Sequence, residues 1–394
     1  MIIFIVGEAM KKSIRHMDMP LLIATIILAV FGLVMIFSAS SVTAIQRYDY
    51  KTYHFFTRQL IFIVFMTFIG FGFIIRFPTK KYNPLVALLL LGTIISLIYL
   101  IGYRQINNVD VRSIDLKIFK LQPSELAKLT MIGFSALFYN FLYKTKNIKK
   151  KFYLVPLFLT AMFSGLIFLA KDLGSAMILF LIGTMIFLSI PFKHPKEKQV
   201  KRNTIVTLII FVLLGAIGAK TLLSERQWNR FTYKAPCTRY KESTGYQVCN
   251  GFIAIKNGGL FGVGFGESKQ KSLYLPESHT DFIFPIIVEE AGLIVGIIVI
   301  LLYLFVLFRL YKISVNTYNL RNSILAYGTF SIFFLHISIN LLGVLGVIPL
   351  TGVPLPLLSY GGSSTIVFMT LLFITQRVSI ENKQQKLQLE IKSL

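Results

Sequence analysis

Acidic residues are scarce in this chain. Its 394 residues hold 17 Asp and Glu against 41 Lys and Arg, and charged residues of either sign make up only 15%. A water-soluble domain carries nearer a quarter. With 55% hydrophobic residues and a mean hydropathy of +0.69, the shortfall excludes a soluble globular protein and indicates an integral membrane one. Cysteine is almost missing: only Cys237 and Cys249 occur, without a C-x-x-C pair, and five histidines lie scattered. No metal-ligand spacing results, so no metal site is expected. The two cysteines read equally as an extracytoplasmic disulfide or as two free thiols. A basic soluble domain is also lacking. The net charge of +24 is spread over short loops, which excludes a nucleic-acid partner and suits anionic lipid at one membrane surface.

What is present is a succession of apolar runs, each long enough to cross a ~30 Å hydrocarbon core. They lie near 20–39, 58–76, 83–102, 124–143, 153–170, 172–191, 204–223, 282–308, 323–346 and 360–376. The expectation is an all-α integral membrane protein of ten transmembrane helices. Short loops decide orientation, and those on one side carry most of the Lys and Arg, among them Arg76, Lys80, Lys81, Arg309, Lys312 and Arg321. Both termini are therefore expected in the cytoplasm. The stretch MKKSIRHMD from Met10 is not a cleaved signal peptide, since nine further spans follow, and residues 1–9 read as an alternative start. The chain reads as a single polytopic membrane domain, 1–394. It has a cytoplasmic segment 1–19, a large extracytoplasmic loop 224–281 between helices 7 and 8, and a cytoplasmic tail 377–394. Loops as long as 103–122 and 224–281 are usually functional. No internal repeat, strand alternation or pair of broken spans is visible, the last being the mark of an inverted-repeat transporter.

Five stretches carry candidate chemistry. In LQPSELAKL, Pro123 suits a first helical turn, and Ser124 stands beside it. Glu125 and Lys128 then share one helix face, with Arg112 and Lys117 just upstream. They form either an ion pair or part of a site, because ionisable groups in spans usually face a cavity. In AKDLGSA, Asp172 either caps the following helix or supports the site. NGGLFGVGFGESKQK has glycine-loop spacing without a βαβ setting, so it reads as a sharply bent, close-packed loop. TGVPLPLLSYGGSS, with Ser359, Gly361, Gly362 and Ser363, opens the last helix, where free N–H groups hold an anion or are simply capped. YLPESHTDFIFPIIVEE sets Glu277, His279 and Asp281 at the lip of an apolar run. Asp281 there suits a general base, and His279 either shares that work or shapes the loop.

These motifs in this order, beginning with GLVMIFSASS from Gly32 and ending with PLPLLSYGGSS, resemble the SEDS family (shape, elongation, division and sporulation: FtsW, RodA, SpoVE) over nearly the whole chain. The resemblance implies a peptidoglycan glycosyltransferase that polymerises lipid II, with a class B penicillin-binding transpeptidase and other division-complex proteins as partners. The family's essential aspartate falls on Asp281, and Glu125, Lys128 and Arg112 match positions it uses. One departure stands out: the family's G-x-[KR]-R-W-[IL] run is replaced by NNVDVRSIDL, which keeps only the basic position at Arg112. The segment GESKQKSLYLPESHTDFIF looks like the division-type branch rather than the rod-type one, implying a bacterial plasma membrane at the septum.

The chemistry expected is transfer from a lipid pyrophosphate donor, inverting at the anomeric carbon. Asp281 would be the catalytic base. Arg112, Glu125, Lys128, Glu277, His279, Ser359, Gly361, Gly362 and Ser363 would bind substrate, with Pro123, Ser124 and Asp172 in support. No D-x-D run occurs, which suits a lipid-linked donor, and no cofactor is implied beyond an open place for a divalent cation, Mg or Mn. A lipid II flippase and the family's rod-type polymerase are the competing readings, and a non-catalytic recruiting scaffold is a third.

Overall fold

The computed structural model describes residues 16–107, 111–116, 120–145, 150–192, 197–207, 235–239, 243–272, 274–276 and 278–393. Helices dominate. They are α1 (Met19–Tyr48), α2 (His54–Ile69, continued by a π-helical turn Gly70–Ile74), α3 (Asn83–Asn107), α4 (Pro123–Lys144), α5 (Val155–Leu169), α6 (Leu173–Ser189), α7 (Ser243–Gly258), α8 (Ile283–Val315), α9 (Leu320–Val344) and α10 (Gly362–Ser393). Among the described residues eight helices are long and apolar enough to cross a membrane, and α6 is a shorter apolar one. The run at 171–172 does divide two helices: Lys171 takes a left-handed φ of 57°, and the Asp172 carboxylate accepts from the Ser175 N–H to cap α6. Most of the expected span 204–223, and much of the segment 224–281, lie outside the described residues.

The fold departs from a plain bundle in two places, both opening from the membrane surface that bears Asp281. The first is α8. Its sequence reads as one span, interrupted only by Glu289 and Glu290, yet Gly292 (φ 87°, ψ 166°) breaks the helix inside it. Gly292 is eleven residues past Asp281, about 16 Å down the helix and so near the middle of the hydrocarbon. A break there frees backbone groups that no water can satisfy. A hairpin satisfies them: α7 descends beside the first part of α8, and residues 259–264 turn at the break. There the Val263 and Gly264 N–H groups donate to the Glu289 and Glu290 carbonyls (2.9 and 3.0 Å), and the Leu293 and Ile294 N–H groups donate to the Gly259 and Leu260 carbonyls (3.0 and 3.3 Å). The chain then climbs back to Asp281. The segment expected as an extracytoplasmic loop is thus in part a re-entrant element. The Cys237–Cys249 disulfide ties its upper end, closing the choice that the sequence left open.

Two buried carboxylates hold the returning limb. Glu290 accepts from Ser38 of α1 (2.7 Å) and pairs with Lys271 (2.7 Å). Glu289 accepts from Asn257 (3.2 Å), the Gln270 N–H (3.3 Å) and the Ser268 hydroxyl. The second departure is the α9–α10 connection. Its buried Leu355, Leu357 and Leu358 carry the loop to Gly32 of α1, where a Cβ would meet the Leu357 carbonyl at 2.2 Å. The Tyr303 hydroxyl of α8 donates to the Pro356 carbonyl (2.7 Å) at that depth. A small feature that the sequence did not announce is an antiparallel pair ahead of α4, Ile114–Asp115 with Lys120–Leu121.

The close approach at the break generates a test. A Cβ on Gly292 would fall 2.3 Å from the Leu260 carbonyl, whereas one on helical Gly165 meets nothing within 4 Å. Gly292→Ala is expected to lose about 3 kcal/mol or more of stability and Gly165→Ala to lose none, read as thermal unfolding in detergent.

Candidate active site

Asp281 sits on the lip of α8, 8% exposed, with its position fixed from three sides. Its own carbonyl accepts from the Asn340 side-chain amide of α9 (2.8 Å), which also donates to the Val353 carbonyl (2.7 Å). The Thr280 hydroxyl donates to one carboxylate oxygen, Oδ1 (3.0 Å). Beside the other lies Gly352, at φ 71°, where a Cβ would come 3.6 Å from Oδ2. The glycine thus sets no side chain of its own against that flank of the carboxylate, on a backbone that an L-residue adopts only with strain.

The α9–α10 loop is stitched to the same lip. Ser359 accepts from the Leu355 N–H (2.9 Å) and donates to the Thr280 carbonyl (2.5 Å), and the Tyr360 N–H donates to the His279 carbonyl (2.9 Å). His279 is packed against Phe55 of α2 at 4.5 Å between ring centres, with Tyr360 at 5.8 Å. Burial first, and the Arg47 guanidinium second, lower its pKa to about 4, so the imidazole is neutral near pH 7. That charge state suits a wall of the site. The Gly361 N–H is taken by the Gln59 side chain (3.3 Å), which also donates to Thr365 (2.8 Å). Gly362 begins α10 against Phe62, where a Cβ would meet the ring at 3.1 Å. Ser363 accepts from the Gln122 N–H (3.0 Å) and donates to the Lys120 carbonyl (2.7 Å), joining α10 to the start of α4.

Pro123 opens α4, as its missing N–H permits. Ser124 and the Gln122 side chain both donate to Asp172 (3.1 and 3.0 Å), so Asp172 caps α6 and braces α4 together. Arg112 lines a small pocket with Ser124 and Asp172. Deeper, Lys128 is fully buried, its ammonium on Glu125 Oε1 (2.6 Å) and His336 Nε2 (3.1 Å). His336 Nδ1 lies 3.1 Å from the Pro354 carbonyl, consistent with the tautomer that donates there and accepts from Lys128. This relay runs from α4 to the loop that holds Gly352. Glu125 Oε2, buried and without a partner, is the open end of the relay. Glu277 lies outside the described residues.

Several site residues escape sequence reasoning: Asn340, Gly352, His336, Gln59 and Phe55. A polar Asn and His on one face of an apolar helix, and a glycine ahead of two prolines, were the available signals. The residues that remain do not form a protein cage for a divalent ion, because no three His, Cys, Asp or Glu converge among the described residues.

The His279 environment sets a pH dependence. The unfolded imidazole binds a proton below its ordinary value of 6.5 and the folded one only near 4, so the unfolded state holds more protons between those values. Stability should fall as pH drops from 6.5 to about 4. Melting temperature against pH should show a flatter profile for His279→Gln over that window.

Comparison with known proteins follows the same geometry. Residues 19–384 match the FtsW/RodA/SpoVE family, described as cell cycle protein. A Bacillus subtilis protein named probable peptidoglycan glycosyltransferase FtsW is 35% identical, over 96% of this chain and 95% of that one. The stage V sporulation protein E of the same organism is 32% identical, over 92% and 96%. Among solved structures, a chain from a peptidoglycan synthase complex that coordinates polymerization and crosslinking superposes with a TM-score of 0.69 at 22% identity, covering 93% of this chain and 99% of that one. The rod shape determining protein RodA of Thermus thermophilus gives 0.63 at 22% identity, covering 93% and 97%. The chain belongs to the FtsW/RodA/SpoVE family.

Proposed function

We propose that the chain is a peptidoglycan glycosyltransferase that polymerises lipid II into β-1,4 glycan strands at the outer membrane surface, in septal wall synthesis during cell division. The observation that carries the reading is the Asp281 lip: a carboxylate that accepts from Thr280, on a backbone held by Asn340, with glycine rather than a side chain at position 352 beside it. The likeness to the Bacillus subtilis protein named probable peptidoglycan glycosyltransferase FtsW runs through this region and supports the same substrate. Basic short loops argue that both termini face the cytoplasm, which makes the Asp281 surface the outer one. A single polytopic domain of ten spans remains the proposed organisation.

In this mechanism Asp281 accepts the proton of the acceptor's 4-hydroxyl as that oxygen attacks the anomeric carbon of the donor. The configuration inverts, and the polyprenyl pyrophosphate leaves. Arg112, in its pocket beside Ser124 and Asp172, is the proposed partner of the pyrophosphate, whose developing charge a fixed cation stabilises. Lys128 would meet substrate only by exchanging its present partners, Glu125 and His336, so its part in the resting geometry is to tension the Pro354 end of the loop, whereas Glu125 keeps Oε2 as the group open to a substrate donor. His279, Ser359, Gly361, Gly362 and Ser363 bound the acceptor side, with Pro123 in support, and Glu277 stays a proposed contact. A divalent ion, Mg or Mn, would depend on the donor's own phosphate oxygens together with Asp281. A class B penicillin-binding transpeptidase is the proposed partner; a solved structure in which a like fold belongs to a peptidoglycan synthase complex supports that pairing.

The test is glycan polymerisation from purified lipid II, with and without a cognate class B penicillin-binding protein. Asp281→Asn should lose at least about 100-fold in rate, the range of a positioned base, while keeping its partner and its melting temperature. If neither protein polymerises, yet vesicles containing the wild type scramble lipid II, the transport reading replaces this one.

A further inference from the structure

The membrane surface opposite Asp281 carries a second polar cluster that the glycan chemistry does not use. Glu381 of α10 accepts there from the Thr79 N–H (2.8 Å), the Thr79 hydroxyl (2.6 Å), Asn322 of α9 (2.8 Å) and Arg377 (3.0 Å). Arg321 packs alongside with its Nε on Asn322 at 3.4 Å. Two guanidiniums therefore face one carboxylate. Arg321 is only 6% exposed, yet its Nη2 has no partner, and neither has the hydroxyl of Tyr82, 5% exposed. The two lie within electrostatic reach of each other. A buried donor left unmade costs about 1–3 kcal/mol, so each of the two calls for an acceptor.

Tyr82 also belongs to an apolar groove between α2, α3, α4, α9 and α10, lined by Phe73, Phe77, Leu85, Leu325 and Ile374 among others. Its ring stacks on Phe77 (6.0 Å), which stacks on Phe73 (5.6 Å). Phe73 and Leu85 are exposed, so the groove opens sideways to the lipid phase. The π-helical turn Gly70–Ile74, where Gly70 lies against the Phe373 ring, forms one wall. Arg321 stands one helical turn beyond Leu325, and Arg377 nearly one turn beyond Ile374, so both cations cap the same end of the groove. Exposed Arg76, Lys80 and Lys81 flank that end.

We propose that this groove and its cationic cap form a binding site for one anionic phospholipid of the leaflet opposite Asp281, with an acyl chain along Phe73, Phe77 and Leu325 and the phosphate accepting from Arg321 and Tyr82. Charge selects the occupant. An excess of guanidinium over carboxylate favours an anionic headgroup, and basic pockets between membrane helices are a known means of holding one. A zwitterionic lipid would satisfy the groove but bring its own cation to the cap. Occupancy ties α3, α9 and α10 together at the far end of the two helices, α9 and α10, whose near ends hold the Asp281 loop.

The full-length protein in detergent, exposed to phosphatidylglycerol or to phosphatidylcholine, would be read by native mass spectrometry. One phosphatidylglycerol should be retained at least tenfold over phosphatidylcholine. Tyr82→Phe removes an unbonded hydroxyl, and Leu85→Trp fills the groove at its exposed edge, so both should fold. Each is expected to reduce retention about tenfold, as is Arg321→Gln. Equal retention of the two lipids, or wild-type retention by Tyr82→Phe or Leu85→Trp, would overturn the proposal. So would displacement of the lipid by equimolar inorganic phosphate, which would assign the cap to a free anion.

Discussion

Backbone amides inside hydrocarbon must find partners within the protein, and the architecture of this chain follows from that requirement. A helix meets it alone, but a helix broken at Gly292 does not. The freed groups are taken by the turn of the α7 hairpin, and the loop between α9 and α10 gives its carbonyls to Tyr303, His336 and Asn340. Each irregular segment is thus admitted to the bilayer only because partners wait for it, backbone groups for the hairpin turn and polar side chains for the loop. One of those side chains, Asn340, also holds the Asp281 carbonyl, so the placing of the aspartate and the legality of the backbone share a residue.

Buried charge enforces this arrangement. Glu290 with Lys271, and Glu125 with Lys128 and His336, are ion pairs taken out of water. Their net worth to stability is modest, because desolvation offsets much of the attraction. Removing one partner is a different matter, since it strands a charge at a cost of about 3–5 kcal/mol. Such pairs penalise alternative packings more than they reward the native one. They set the returning limb of the hairpin against α1, and α4 against the Pro354 turn, which are the two supports of the Asp281 lip.

Much of this was legible in advance. Hydropathy marked every described span, Lys171 and Asp172 did mark a helix boundary, and the glycines of 259–266 do form a bent loop, though it is close-packed only at Gly262, with Phe261 and Phe265 exposed. The break at Gly292 was not legible, because Glu289 and Glu290 fit a helix as well as a turn, and a span reads alike whether its helix is whole or divided. What divides it is a tertiary contact with residues thirty positions earlier, invisible to a local window. For the same reason the hairpin looked like an outer loop: its polar residues, Ser268, Gln270 and Lys271, face Glu289 and Glu290 rather than water. Asp281 announced itself by charge at the edge of an apolar run. Asn340 and Gly352 did not, since one holds a backbone carbonyl and the other contributes an absence of side chain.

The buried turn from Leu355 to Leu358 has a mechanical consequence. Wedged against Gly32 and held by Tyr303, it stops the centre of the bundle as a cork stops a bottle. Cargo moving along the bundle axis would have to expel it and strand every hydrogen bond that seats it. A lipid-borne sugar therefore approaches Asp281 sideways, sliding in from the plane of the bilayer with its tail still among other tails.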